Sequence, residues 1–314
     1  MKVGITGATG QLGSIVTEQL KGKGFSENTV ALVRNIEKAS NLGVVAREFD
    51  YNKVDTLDKA LIDIDVLVLI SSNEVGKRTE QHLKVIEAAK KAKVKRIVYT
   101  SLLHADTTTI FLADEHLETE AALKNSGLFY TILRNGWYTE NYLGGLSGII
   151  ENGVVLGSSG EGKISAVPRI DFAEAIVAVA VNDGHENKVY ELAGDEAFTM
   201  DDFAKVIALQ SGKPVVYKNI SEDDYASFLV SVGMPEGMAK AFASTQISTL
   251  KGDLFDDGHQ LSKLIGRKTT LLSDVVAKAL NNSNWFKFWK VLYQNIGLSP
   301  SNSLIIEQNK FKVV

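Results

Sequence analysis

The apolar residues of the chain up to Leu133 fall into two alternating patterns. Continuous runs of valine, isoleucine and leucine predict buried parallel strands, which we place at Val3 to Thr6, Val30 to Val33, Val66 to Ile70, Ile97 to Thr100 and Tyr130 to Leu133. Between them, apolar residues at helical spacing predict helices at Leu12 to Leu20, Val54 to Leu61, Thr79 to Ala92 and Ala113 to Leu123. The alternation predicts an α/β fold with a Rossmann-type doubly wound parallel sheet.

Beyond Tyr142 the pattern changes. Glycines in GGLSG and LGSSGEG predict loops and a lid around Ile149 to Leu156. Helical spacing returns at Asp171 to Val181, Met200 to Gln210 and Glu222 to Val232, and VYELAG at Val189 to Gly194 is a strand candidate that can rejoin the sheet. We therefore predict a Rossmann domain over residues 1–150, a smaller C-terminal α/β substrate-binding region over residues 151–280, and a tail over residues 281–314.

The tail contains the aromatic and basic stretch WFKFWKVLY. A segment of this composition can contact a membrane surface or a partner, or it can pack on its own domain. Its role stays open at this point.

Composition narrows the classes of partner. The net charge is −4 and charges of neither sign form a long run, which argues against nucleic-acid binding and favours a small molecule. The chain contains no cysteine, so thiolate chemistry and cysteine-ligated metals are excluded. Its N-terminus lacks the apolar region of a secretory signal, and its longest apolar run is too short to span a bilayer. We expect a cytoplasmic protein without integral membrane contact, with a homodimer left open.

The stretch ITGATGQLG places Gly7, Gly10 and Gly13 directly after the first predicted strand. In a strand that leads into a helix, glycines at this spacing make the tight turn, let the backbone approach a pyrophosphate and allow the helix to pack on the strand. The N-terminus of the following helix then faces the anion. A plain turn is the alternative, but the βαβ context favours dinucleotide binding.

The second predicted strand ends in VALVRN, with Arg34 where a carboxylate would bind the adenine ribose of NAD. A guanidinium group suits the oxygens of a 2′-phosphate, so the sequence favours NADPH over NADH. The alternative for Arg34 is a solvated surface side chain. The polar residues Ser71 to Glu74 follow the strand that starts at Val66, and they either line the cofactor site, cap the next helix, or do both.

Together with IVYTS, the glycine pattern resembles the short-chain dehydrogenase/reductase superfamily. Most of its enzymes use a serine and a Tyr-x-x-x-Lys pair as a proton relay. Here the serine position is Leu102, the tyrosine position is Leu112 and the lysine position is His116. The chain therefore resembles an atypical member that lacks the relay.

A closer resemblance is to the NmrA-like NADPH-dependent quinone oxidoreductases of the bacterial type-2 kind. The resemblance covers about residues 1–280. The motifs that support it are ALVRN, LISSNEVGKR, YTSLLHADT, LADEHLETE, LRNGWYTENYL, VYELAGD and LFDDGHQLSKLIG. The resemblance implies hydride transfer from NADPH to a quinone, an electrophile that needs no phenol of tuned pKa. It also implies a set of cofactor contacts: Gly7, Ala8, Thr9, Gly10, Gln11, Leu12, Arg34, Ser71, Ser72, Asn73, Asn135, Gly136, Trp137, Tyr138, Thr139, Glu140 and Arg169.

The stretch RNGWYTENYL would lie beside the nicotinamide and offer flat aromatic surfaces to a planar acceptor. Tyr138 and His104 are the candidate proton donors, although aromatic residues after a strand also occur as core. We interpret His116 as a structural histidine paired with Glu120. The histidines show no metal-binding spacing, and Asp256 with Asp257 indicates a loop, so no metal is expected.

The main alternative function is an NADP-binding redox sensor of the NmrA type, which would bind the nucleotide without turnover. The missing relay suits a sensor and a quinone reductase equally. The match around RNGWYTENY and LLHADT favours the reductase. A sugar-nucleotide epimerase or reductase is disfavoured because it requires the absent tyrosine and lysine.

Overall fold

A computed structural model describes residues 1–281 of the chain. Its strands are β1 (Val3–Thr6), β2 (Thr29–Val33), β3 (Val45–Glu48), β4 (Val66–Leu69), β5 (Arg96–Leu102), β6 (Phe129–Asn135), β7 (Val154–Gly157), β8 (Lys188–Leu192) and β9 (Val216–Asn219). Its α-helices are α1 (Gln11–Gly22), α2 (Val54–Ala60), α3 (Arg78–Lys91), α4 (Ala113–Lys124), α5 (Leu146–Asn152), α6 (Arg169–Val181), α7 (Met200–Ser211), α8 (Glu222–Ser231), α9 (Glu236–Leu250), α10 (Gln260–Ile265) and α11 (Leu272–Asn281).

The chain divides into two compact units, each built from separate segments. The first unit comprises Met1–Trp137, Val167–Asp195 and Asp256–Thr269. The second comprises Tyr138–Ala166, Glu196–Phe255 and the described residues from Thr270 onward. The predicted division at residue 150 is a single cut, whereas each of these units draws on three stretches of the chain.

The first unit contains a seven-stranded sheet in the order β3-β2-β1-β4-β5-β6-β8, and every neighbouring pair is parallel. Strand order reverses direction between β1 and β4, and a crevice forms at such a switch point outside the carboxyl ends of the strands. The predicted doubly wound fold is confirmed. The strand at Lys188–Leu192 is the last in the sheet and pairs with β6.

Helices cover both faces of this sheet. On one face α1 packs against α6, and α6 in turn contacts β4, β5 and β6. The other face carries α2, α3 and α4, whose apolar side chains form a core cluster with the strands. Because both faces are covered, the central strands are continuously buried, which explains their unbroken apolar runs.

The prediction missed β3 because this strand lies at the edge of the sheet. Its sequence VARE is exposed at both ends and half-buried between them, so it offers no continuous apolar run. Edge strands commonly carry charged residues of this kind.

The second unit contains a parallel pair formed by β7 and β9, with α5, α7, α8, α9 and α11. The prediction of loops and a lid around residues 149 to 156 was wrong. Helix α5 begins after Gly145, ends at Gly153 with a left-handed φ of 69°, and leads directly into β7. These glycines mark helix ends, a common role of the residue, rather than an irregular loop.

Within residues 1–281, no helix combines the length and apolar character needed to cross a bilayer. The aromatic and basic stretch WFKFWKVLY lies outside the described residues.

Candidate cofactor site and proton-donor residues

The glycine turn after β1 has the geometry that a phosphate cradle requires. Gly7 has a left-handed φ of 59°, and its carbonyl oxygen accepts the N–H of Gly10 at 2.8 Å. A Cβ on Gly10 would lie 3.0 Å from that oxygen. A Cβ on Gly13 would overlap the same oxygen and lie 2.8 Å from the carbonyl carbon of Gly7. Three different constraints thus select glycine at the three positions.

Helix α1 begins at Gln11, immediately after this turn. Among the described residues, none caps its first turn with a side chain, and the turn itself contains no acidic residue. The N–H groups of the first turn and the positive end of the helix dipole therefore suit an anion. Ala8, Thr9 and Leu12 belong to the same turn and helix start, with Ala8 and Leu12 buried.

Arg34 directly follows β2, and its side chain is 69% exposed. Its Nη1 atom lies 3.6 Å from Oε1 of Glu74, which is in the connection between β4 and α3. The position is the one expected for a group that binds a 2′-phosphate. The carboxylate beside it is an anion that a phosphate would have to share or replace.

The connection after β4 contributes Ser71, Ser72 and Asn73. The N–H of Ser71 donates to the hydroxyl of Thr100 at 2.9 Å, and Asn73 is exposed. Ser72 is buried, and its N–H, carbonyl and hydroxyl groups all bond to side chains of α3. These residues do not cap α3, contrary to one alternative from the sequence, because Glu115 of α4 accepts the N–H of Arg78 at 2.9 Å.

Asn135 ends β6 and carries an unusual carboxamide. The residue is 4% exposed, and neither its Oδ1 nor its Nδ2 has a hydrogen-bond partner among the described residues. A buried amide without partners is costly unless a ligand supplies them.

Gly136 follows Asn135, and a Cβ there would lie 3.0 Å from the carbonyl oxygen of Leu192 on β8. Trp137 closes this segment, half-buried, and accepts the N–H of Val167 at 3.3 Å.

Most of the predicted cofactor residues come together in the first unit, at the carboxyl ends of β1, β2, β4 and β6. Arg169 also belongs to this unit, as the first residue of α6. Tyr138, Thr139 and Glu140 belong to the second unit, where Thr139 begins a short 3-10 helix. Thr139 is buried, and its hydroxyl has no partner among residues 1–281.

His104 lies just after β5 in a left-handed conformation, with a φ of 51°. Its backbone N–H donates to Oε2 of Glu191 at 2.9 Å, and its Nε2 is 3.1 Å from Oδ2 of Asp256. The carboxylate of Asp256 accepts a hydrogen bond and so favours the tautomer of His104 that carries its proton on Nε2. The side chain of His104 is 28% exposed, so its imidazole can be reached by solvent or a ligand.

A buried guanidinium group anchors this region. Arg134 on β6 bonds both oxygens of Glu120 at 2.9 Å and Oε1 of Glu191 at 2.8 Å. Burial raises the pKa of Glu120, but the hydrogen bonds from Arg134 and Ser101 outweigh it and lower that pKa overall. Glu191 therefore connects the buried pair to the backbone of His104, a link that the sequence pattern does not reveal.

The predicted pairing of His116 with Glu120 was wrong. Nδ1 of His116 lies 2.7 Å from the hydroxyl of Tyr99, whereas the carboxylate of Glu120 is hydrogen-bonded to Arg134. Helical spacing brings residues four apart to the same face, but a bidentate guanidinium from another element competes more strongly for the carboxylate. His116 is 5% exposed, and burial lowers its pKa well below the usual value.

The carboxylate of Asp256 also stabilises a turn, because its Oδ1 accepts the N–H of Gly258 at 2.9 Å. Among residues 1–281, no three histidine, aspartate or glutamate side chains come together in a way that could hold a metal ion.

Residues 7–183 match a family model described as NAD(P)H-binding. Quinone oxidoreductase 2 of Escherichia coli is 50% identical over 285 residues, which span 90% of this chain and 100% of that protein. An NmrA-like family domain-containing oxidoreductase of Aspergillus flavus is 30% identical over 298 residues, spanning 89% of this chain and 95% of that one.

The same similarity appears in three dimensions. The crystal structure of an NADPH-dependent quinone oxidoreductase of Escherichia coli complexed with NADPH matches with a TM-score of 0.87 at 50% identity. The match covers 89% of this chain and 100% of that chain.

Proposed function

This chain belongs to the NmrA-like family of NAD(P)H-binding proteins, and from that premise we propose that it transfers hydride from NADPH to quinones. The observation that carries the proposal is the 50% identity with the quinone oxidoreductase of Escherichia coli over its whole length. The chain accordingly spans the entire length of a relative whose name states this activity.

The residues of the first unit fit a dinucleotide. The Gly7 turn and the start of α1 form a cradle for phosphate, and the lack of a side chain at Gly13 lets the helix pack closely against the backbone of that turn. The unpartnered carboxamide of Asn135 offers one acceptor and two donors at the carboxyl end of β6. Bound at the switch point, NADPH would supply the hydride, and Asn135 would orient the half of the dinucleotide that lies beyond β4.

Arg34 accounts for the preference for NADPH in this proposal. Its guanidinium group faces solvent at the end of β2 and can bind a 2′-phosphate through charge-assisted hydrogen bonds. Such bonds are worth about 1.5 to 3 kcal/mol when protected, and we expect the lower end here because the side chain is largely exposed.

The chemistry required of the protein is mainly positioning. Reduction of a quinone to a hydroquinone needs one hydride from NADPH and one proton from a donor. Holding donor and acceptor at near-attack distance supplies most of the rate enhancement in such a step. We propose Trp137 and Tyr138 as the aromatic residues that contribute to acceptor binding.

His104 is the better supported of the two proposed proton donors. The hydrogen bond to Asp256 can hold its imidazole in one orientation, and the bond from its N–H to Glu191 fixes the backbone. Tyr138 is the other proposed donor, and it rests on the resemblance alone.

The proposed compartment is the cytoplasm, because a reductase that consumes NADPH requires a pool in which the reduced nucleotide is regenerated. Localisation of the tagged full chain by fractionation tests this. A sizing column run on the same purified protein distinguishes a monomer from a homodimer.

The decisive experiment is NADPH oxidation by the purified protein, measured by the loss of near-ultraviolet absorbance with and without a small benzoquinone. We expect acceptor-dependent turnover. Tight NADPH binding without any turnover would replace the reductase with the alternative, an NADP-binding redox sensor.

A further inference from the structure

Hydrogen bonds that involve side chains hold much of the connection between β4 and α3, and four of them involve Ser72. The N–H of Ser72 donates to Nε2 of His82 at 3.0 Å, and its carbonyl accepts Nε of Arg78 at 2.7 Å. The hydroxyl donates to Oε1 of Gln81 and accepts the N–H of Glu74 at 3.2 Å. Every polar group of Ser72 thus has a partner within the chain.

Among these partners, His82 is the one whose protonation state matters. It is fully buried, and to accept the N–H of Ser72 its Nε2 must carry a lone pair. Its Nδ1 lies 3.0 Å from the hydroxyl of Thr119, and that hydroxyl donates to the carbonyl of Glu115 at 2.8 Å. Since the hydroxyl proton is used, Nδ1 must donate. The neutral Nδ1–H tautomer is therefore the only one that satisfies both contacts.

Burial keeps this histidine neutral. Desolvation, reinforced by the positive charge of Arg78, lowers the pKa of His82 to about 3. The imidazole is therefore a constant acceptor at neutral pH. The same ring stacks edge to face with Tyr99 at a centroid distance of 5.4 Å, which limits its rotation.

The position of Ser72 affects both sides of the predicted nucleotide site. Through its hydroxyl it fixes the backbone of Glu74, whose carboxylate lies 3.6 Å from Arg34. Ser71, the preceding residue, donates its N–H to Thr100 at 2.9 Å. A displacement of Ser72 would therefore move the polar residues on either side of it.

We propose that His82 is a positioning residue for NADPH: as the Nδ1–H tautomer locked by Thr119, it holds Ser72 and thereby shapes the connection from Ser71 to Glu74 that faces the nucleotide. The proposal rests on the proposed function, because it takes that connection to be part of the NADPH site.

The test compares two buried histidines, His82 and His116. His82→Leu removes the acceptor for Ser72, whereas the control His116→Leu removes an imidazole that bonds Tyr99 and has no bond to the connection. We expect the Kd for NADPH to rise about tenfold in His82→Leu, the loss of one buried hydrogen bond, and to change by less than about twofold in His116→Leu. The KM for NADPH should rise likewise in His82→Leu, with kcat at saturating NADPH nearly unchanged.

Calorimetric titration with NADPH and a circular-dichroism melt on each full-length variant give the readouts. His82→Gln should restore most of the affinity, because its amide oxygen can accept the N–H of Ser72. If His82→Leu does not fold, Thr119→Val decides instead: it deletes the hydroxyl that fixes the tautomer, together with the bond from that hydroxyl to the carbonyl of Glu115, and should weaken NADPH binding several-fold. Equal affinities in wild type and Thr119→Val, or equal losses in the two leucine variants, would overturn the proposal.

A spectroscopic measurement tests the tautomer directly. Long-range proton–nitrogen correlation spectra of the wild-type protein should show His82 protonated on Nδ1 and bare on Nε2. An imidazolium, or the Nε2–H form, contradicts the proposal even if NADPH binds. Failure of the wild-type protein to bind NADPH at all would instead refute the proposed function, while leaving the tautomer result unaffected.

Discussion

Lowering the pH from about 7 to about 5 should remove at least about 2 kcal/mol from the free energy of unfolding, because two buried histidines resist protonation in the folded protein. His82 is fully buried and His116 is 5% exposed. Burial, with the charge of Arg78 in support, lowers the pKa of His82 to about 3 and that of His116 well below its usual value. Both folded-state values thus lie below those of the unfolded chain.

The sign of the effect follows from proton uptake. An unfolded histidine has a pKa of about 6.5, so between that value and about 3 the unfolded chain binds a proton that His82 of the folded protein does not. The stability that this histidine contributes is therefore fully present above about pH 6.5 and is lost as the pH falls. At about pH 5 His82 accounts for about 2 kcal/mol relative to about pH 7, at 1.4 kcal/mol for each pH unit below the unfolded pKa, and His116 adds to the loss in the same direction.

Urea denaturation at the two pH values measures this loss, with tryptophan fluorescence and circular dichroism recorded together to check for a single transition. In His82→Leu the loss should shrink by about 2 kcal/mol, and in His116→Leu it should also shrink, because in each variant one titrating group is gone. Each variant also loses a hydrogen bond, but that cost is the same at both pH values and cancels. A loss that is identical in wild type and both variants would refute the reasoning.

Four further outcomes are expected. Arg34→Glu should weaken NADPH binding by at least about tenfold and leave NADH nearly unchanged, as measured by calorimetry, because a repulsive charge replaces the cation beside the 2′-phosphate. Gly10→Val should abolish binding of both nucleotides while a circular-dichroism melt shows a folded protein, since the side chain would occupy the pyrophosphate position. Asn135→Leu should raise the melting temperature of the protein without nucleotide and weaken NADPH binding, because it removes a buried amide without partners. In steady-state kinetics with one quinone, His116→Leu should lower kcat by less than about tenfold, whereas Trp137→Ala should lower kcat/KM more.

The parts of the fold that sequence predicted well are those whose signal is local. The runs at β1, β2, β4, β5 and β6 are buried on both faces of the sheet, so each one is readable without knowledge of its neighbours. The edge strand β3 has half its surface in solvent and cannot be told from a polar loop by composition. Residues 146 to 152 illustrate the opposite error, since glycines that end a short helix look like those of a loop.

In the candidate site, too, the features close together in sequence were predictable and the contacts between distant residues were not. The glycine turn and Arg34 were predictable because strand, turn and helix are contiguous in the chain. The contact between His104 and Asp256 joins residues 152 positions apart, and the contact between His82 and Thr119 joins residues 37 apart. Spacing carries no information about such pairs. His116 shows the resulting error: its neighbour in sequence suggested a carboxylate partner, and the folded chain supplies a phenol instead.

Helix α4 links two features of the chain: the positions that a proton relay would occupy and the connection after β4. At the positions that the sequence comparison assigns to the tyrosine and lysine of the short-chain dehydrogenase/reductases, the chain has Leu112, the N-cap of this helix, and His116, in its first turns. Other side chains of this helix hold the connection after β4: Glu115 accepts the N–H of Gly76 at 3.1 Å and that of Arg78 at 2.9 Å, and Thr119 bonds His82.

Arg78 makes the two roles of α4 incompatible. The guanidinium group of Arg78 is buried, supports Ser72 and lowers the pKa of the nearby His116. A lysine at position 116 would bring a second cation into the same desolvated space, where it would lose its proton or destabilise the fold. A lysine at position 116 is therefore unfavourable while Arg78 is buried beside it. A quinone acceptor, which needs no activated phenol, is the kind of substrate that lets this helix serve as an anchor instead.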